Sequence, residues 1–289
     1  MFENILVPVD GSEGADAAVG HAADIAERFD AAVRVLFVAN TKRDSVTTVG
    51  TEVVDALEQK GEQIVEPVAA DLRERGVDCE TEVVQGAPAT AIADYAESEG
   101  MDLVVMPTRG REGLSRLLLG SVTEKTLRLS EVPVLTIRTH EDARTSFPYE
   151  DVLVPTDGSE AARAAVDQAV DLAAALDATV HAVSVVDDTS LGLDVRSVSA
   201  SEDLEDRAEE AVADVAARAE EAGVESVTEE VLRGRVHRRI LGYVDDNDVD
   251  LVAVGTTGRG GTDRVLLGSV AERLVRSSPV PVLTVRRQT

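Results

Sequence analysis

Lysine is almost missing from this chain of 289 residues: Lys42, Lys60 and Lys125 are the whole set, and every other basic residue is arginine. Tryptophan is absent and aromatic residues make up only 2%, so there are no stacking platforms for single-stranded nucleic acid. A single cysteine, Cys79, excludes an internal disulfide framework and any Cys-rich zinc site. No uncharged run approaches the roughly 18 residues that a membrane span needs. The start, Met1-Phe2-Glu3-Asn4-Ile5, lacks a basic region leading into a long apolar stretch, so a cytoplasmic location is expected.

Acid is abundant. There are 55 acidic residues against 28 basic ones, a net charge of −27. Such a field repels phosphate at long range and argues against general binding to nucleic acid or an anionic membrane. An Asp-rich, Lys-poor coat over both halves points to a saline cell interior, where dense salt screens the repulsion. With 44% apolar residues, the chain has enough to build a real core.

The chain is a repeat. Val7-Pro8-Val9-Asp10-Gly11-Ser12-Glu13 returns as Val154-Pro155-Thr156-Asp157-Gly158-Ser159-Glu160, at an offset of 147. Asp102 to Arg138 laid on Asp250 to Arg286, at an offset of 148, gives 22 identities in 37 positions. Two domains are expected, at 1–140 and 149–289, joined by a polar stretch. Each alternates short apolar runs with amphipathic segments. In the first half these predict strands at Ile5–Val9, Val33–Ala39, Cys79–Val84, Leu103–Met106 and Val134–Ile137, with Ser12 as the N-cap of the first helix. In the second half the strands fall near 152–156, 179–186, 227–232, 251–254 and 281–285. The pattern is that of an α/β fold: two tandem five-stranded, parallel, doubly wound sheets.

In such sheets ligands sit at the carboxyl ends of the strands, where the winding reverses. Asp10 and Asp157 follow the first strand of each half. A glycine-rich loop follows the fourth strand: Gly255-Thr256-Thr257-Gly258, then nine residues, then Gly268-Ser269. The amides of Gly268 and Ser269, opening a helix, are expected phosphate donors. From Pro107 to Arg128 five basic residues stand against Glu112 and Glu124, and from Gly255 to Arg276 four stand against Asp263 and Glu272. No Walker motif, no Gly-x-Gly-x-x-Gly after the first strand and no Gly-x-Ser-x-Gly elbow is present. The four histidines lack metal-ligand spacing, and Tyr95 and Tyr243 are expected to pack. The acidic runs Glu202 to Glu210 and Asp245 to Asp250 read as solvated faces.

The Val-Pro-x-Asp-Gly-Ser start and the Gly-x2-Gly-x9-Gly-Ser loop resemble the universal stress protein (UspA-like) family, twice over nearly the whole chain. The loop is the mark of that family's ATP-binding branch. The resemblance implies an adenine nucleotide alpha hydrolase-like fold with strand order 3-2-1-4-5. It also implies ATP, with Mg2+ as a companion ion, and pairing through fifth strands, here as an intramolecular pseudo-dimer with a further homodimer open. In the second half it implies that Pro155, Thr156, Asp157 and Val185 meet the adenosine and that Val254 packs beside it. Gly255, Thr257, Gly258, Arg259, Gly268, Ser269 and Val270 would line ribose and phosphates. The first half offers Val9, Asp10, Val38, Met106, Arg109, Gly110, Gly120, Ser121 and Val122, and departs from the pattern at Pro107. Three functions stay open: a nucleotide-binding stress-response regulator, a nucleotide-free interaction module, and a slow ATPase or self-phosphorylating protein using Ser121 or Ser269. Asp10 and Asp157 are the acids to test as a general base.

Overall fold

The computed structural model describes residues 1–40, 51–109, 119–140, 142–187, 196–256 and 267–287, with the backbone alone at 51–58 and 196–201. Two compact units divide the chain, one of Phe2–Ala143 and one of Arg144–Thr289 together with Met1.

The first unit runs β1 (Asn4–Val9), α1 (Glu13–Phe29), β2 (Ala32–Ala39), α2 (Thr51–Glu74), β3 (Cys79–Gln85), α3 (Pro88–Ser98), β4 (Leu103–Pro107), α4 (Ser121–Leu129), β5 (Val134–Ile137). Its parallel strands lie in the order β3-β2-β1-β4-β5. The second unit repeats it as β6 (Asp151–Pro155), α5 (Glu160–Leu176), β7 (Thr179–Val186), α6 (Arg196–Glu221), β8 (Val227–Arg233), α7 (Val236–Asp246), β9 (Leu251–Gly255), α8 (Ser269–Ser277), β10 (Val282–Val285). The order is β8-β7-β6-β9-β10, again parallel.

The central strands are continuous apolar runs because helices cover both faces. Ile5, Leu6 and Val7, and their counterparts Val152, Leu153 and Val154, are all fully buried. Each such side chain contributes about 1.5–3 kcal/mol. Ser12 and Ser159 cap the first helix of each unit, accepting from the N–H of Ala15 at 3.3 Å and of Ala162 at 3.2 Å.

The two units keep one architecture while trading volume between neighbours. Gly61 on α2 lies so close to β2 and β3 that an added Cβ would fall 2.6 Å from Val83 Cγ1 and 2.9 Å from Phe37 Cδ1. At the matching positions the second unit has Ala208 and Ser184, a larger helix residue against a smaller strand residue. Close-packed interiors tolerate such swaps only when both partners change.

Several sequence expectations are refined by the side chains. Asp250 is not part of a solvated run. Its Oδ2 accepts from the N–H of Glu150 at 2.9 Å and of Asp151 at 3.1 Å, tying β9 to the start of β6. Asp102 does the same for Glu3 and Asn4. In the other acidic run, Glu205 pairs with Arg233. Tyr95 and Tyr243 bond as well as pack: Arg34 donates to Tyr95 Oη at 2.6 Å, and Tyr243 Oη lies 2.9 Å from Nδ1 of the buried His181, whose Nε2 meets Asp151 Oδ1 at 2.8 Å. Burial pushes the Tyr243 hydroxyl up from its ordinary value, with Glu230 and Asp151 adding to it. Cys79 is buried at the start of β3, and burial likewise raises its thiol.

Candidate functional site

The site forms because two neighbouring strands part company. β1 pairs with β2 from Asn4 through Val9, but with β4 only at Ile5 and Leu6. In the second unit β6 follows β7 to Pro155 and meets β9 only at Val152 and Leu153. The chain winds in opposite senses on the two sides of that gap, so a crevice opens beyond the carboxyl ends of β6 and β9.

At this end of the second unit lie Pro155, Thr156 and Asp157 from β6 and its turn, Val185 near the end of β7, Val254 and Gly255 from β9, and Gly268, Ser269 and Val270 at the start of α8. Thr156 and Val254 are buried and Val185 is half-buried, while Ser269 is exposed. Asp157 Oδ1 accepts from the Ser159 N–H at 3.0 Å, and Thr156 Oγ1 accepts from the Gly158 N–H at 3.1 Å. Gly158 has φ +70°, a conformation that a side chain would strain. This turn holds the Asp157 carboxylate against the backbone just beyond β6.

The first unit gathers its set in the same way. Val9 and Asp10 lie at β1, Val38 at β2, Met106 at β4, and Gly120, Ser121 and Val122 at the start of α4. Asp10 Oδ1 accepts from the Ser12 N–H at 3.1 Å. Arg109 follows β4, and its charge, together with burial as the larger cause, holds the Arg138 guanidinium below its ordinary value. Gly110, Thr257, Gly258 and Arg259 lie outside the described residues.

One expected donor is already engaged. The Gly268 N–H donates to the Thr256 carbonyl at 2.6 Å, and the Gly120 N–H to the Thr108 carbonyl at 2.8 Å. These bonds close the long loop onto the end of the fourth strand. The helix N–H groups available to an anion therefore begin at Ser269 and Ser121, one residue later than the sequence suggested.

Pro107 and Gly255 differ for a reason that the sequence could not display. A Cβ on Gly255 would sit 2.4 Å from the Ala161 carbonyl oxygen, so the first turn of α5 leaves no room for a side chain. In the first unit the helix residue is the glycine. A Cβ on Gly14 would lie 2.5 Å from the Arg109 carbonyl oxygen and 3.3 Å from Pro107 Cβ. Thr123 Oγ1 then donates to the Pro107 carbonyl at 2.8 Å, where the second unit has Ala271. The Thr108 and Thr256 N–H groups donate to β5 and β10. By strand alternation the preceding residue faces the gap: Gly255 presents an N–H there, and Pro107 has none.

Both units are thus five-stranded, parallel, doubly wound α/β folds built on one plan. The profile of the universal stress protein family matches residues 1–138 and 148–286, and the chain belongs to that family. It is 38% identical over 145 residues to universal stress protein MJ0531 of Methanocaldococcus jannaschii, covering 48% of this chain and 83% of that one. It is 30% identical to universal stress protein Rv2005c of Mycobacterium tuberculosis over 299 residues, 98% of this chain and 97% of that one. A crystal structure of a universal stress protein from Archaeoglobus fulgidus matches with a TM-score of 0.75 at 25% identity, covering 99% of this chain and 98% of that one.

Proposed function

We propose that this universal stress protein binds an adenine nucleotide, ATP, in the crevice of its second unit, and uses it as a bound signal with little or no turnover. One observation supports this above others: β6 pairs with β9 only at Val152 and Leu153, and Asp157, Gly255 and the start of α8 at Ser269 all follow where the two strands part. An acid for a nucleoside hydroxyl, a strand amide and a helix N-terminus for phosphate are the parts that such a ligand needs. Ser269 and Val270 would hold phosphate oxygens, Val185 and Val254 the base. Mg2+ would accompany the nucleotide as its counter-ion.

The same reading makes the two units an intramolecular pair through β5 and β10, because an edge of bare strand is a liability that pairing removes. The acidic coat fits a saline cytoplasm. Among the described residues no helix is long and apolar enough to cross a membrane.

The experiment is mass spectrometry of nucleotide released by denaturing the purified chain, followed by ATP titration. Stoichiometric adenine nucleotide is expected. Nucleotide-free protein that also fails to bind added ATP would favour an interaction module instead.

A further inference from the structure

Arginines in this acidic chain find carboxylates readily: Arg34, Arg75, Arg128, Arg218, Arg233 and Arg276 each reach one. Four neighbours in the second unit do not. Arg235, Arg238, Arg239 and Arg273 are exposed, and none meets a carboxylate of the described residues within ion-pair distance. The first three stand at the start of α7. Arg273 comes from the second turn of α8, which packs against α7. His237 joins the two helices, since Arg273 Nη1 donates to its Nδ1 at 3.0 Å. An arginine can only donate, so this imidazole is neutral with its proton on Nε2. Burial, then the charges of Arg273, Arg238 and Arg235, hold it below the ordinary histidine value.

Nothing in the fold requires this cluster. The matching residues of the first unit are Ala87, Ala89, Thr90, Ala91 and Lys125, on the same elements. Helix physics opposes it as well: α7 has no acid in its first turn and carries arginines where its dipole favours anions. Mutual repulsion of four guanidinium groups adds to that cost.

We propose that this cluster between α7 and α8, about one helical turn beyond Ser269, is a binding site for a compact, multiply charged phosphate anion of the inorganic oligophosphate class. Guanidinium forks match phosphate oxygens in pairs, and four on adjacent turns suit several charges close together. A large polyanion would have to lie over the surrounding acidic surface of a chain at −27, whereas a few linked phosphates fit within the basic island. The site goes beyond the nucleotide reading and does not depend on it.

The test is calorimetric titration of the full chain with inorganic tripolyphosphate, in the Gly268→Asp background, which keeps the probe out of the crevice. One equivalent should bind, and the His237 imidazole resonance should report a raised pKa as the anion offsets its cationic neighbours. Adding Arg235→Gln and Arg238→Gln should weaken binding about tenfold or more, as expected for lost charge-assisted bonds, with the melting temperature confirming that the variant is folded. Retained affinity in that variant would overturn the proposal. So would an absence of binding in the Gly268→Asp chain. So would arginine variants that change only self-association in sedimentation, which would mark the patch as a contact between copies.

Discussion

Thr123 Oγ1 donates to the Pro107 carbonyl at 2.8 Å, and Pro107 in turn stands against Gly14. The second unit replaces all three residues together, with Ala271, Gly255 and Ala161. The proline is therefore a built-in alternative. Its ring occupies space that a glycine on α1 vacates, and its carbonyl is satisfied by a threonine on α4.

This coupling predicts strong non-additivity. Gly255→Pro alone should destabilise the second unit by about 1–3 kcal/mol, as overpacking against α5 does. Adding Ala161→Gly and Ala271→Thr should return part of that loss: a threonine there supplies the donor that Thr123 gives to the Pro107 carbonyl, and glycine lets the first turn of α5, whose Ala161 carbonyl is the clashing group, draw back. Chemical denaturation of the single and triple variants measures it. A triple variant no more stable than the single one would show that the three positions are independent.

The same coupling explains what was legible in the sequence and what was not. Continuous apolar strands, the Ser12 cap and the repeat itself were legible, because each depends on local pattern. The splaying of β1 from β4 was implied only by the order of strands. The bond from Gly268 N–H to the Thr256 carbonyl was hidden, because it joins the two ends of a loop. The pairing of Gly14 with Pro107 was hidden because helix and strand residues meet across 93 positions of chain. The arginine cluster was half visible as Arg235, Arg238 and Arg239, but Arg273 joins it only through helix packing.

His237 gives a pH prediction. Its folded pKa is held below the ordinary value by burial and then by Arg273, Arg238 and Arg235. A depressed pKa means that the unfolded chain binds the proton more readily. The contribution to stability is therefore present above the ordinary histidine value and lost as pH falls through the folded one. His237→Gln should flatten the fall in melting temperature over that interval. An unchanged slope would show that the arginine charges are screened at this half-exposed site.

Salt should stabilise the chain. At net −27, folding compresses like charges that dense salt screens over a few Å. Melting temperature should rise from dilute buffer to molar KCl. A flat or falling curve would remove the argument for a saline interior.

The second unit should be the stronger nucleotide site. Both units carry the aspartate and its turn, Asp10 and Asp157, and both free their helix N–H groups from the serine onward. They differ at the residue facing the gap, where Gly255 has an N–H and Pro107 does not. A lost bond to a charged acceptor costs about 1.5–3 kcal/mol, roughly ten- to a hundredfold in affinity. Arg109, just past the end of β4, offsets part of that by charge. Gly268→Asp places a carboxylate at the start of α8, where phosphate is expected, and Gly120→Asp does so at α4. ATP titration of the two variants in high salt decides the ranking. Gly268→Asp should abolish the tightest binding and Gly120→Asp should leave it. The reverse result would assign the principal site to the first unit and show that charge from Arg109 outweighs the amide that Pro107 lacks.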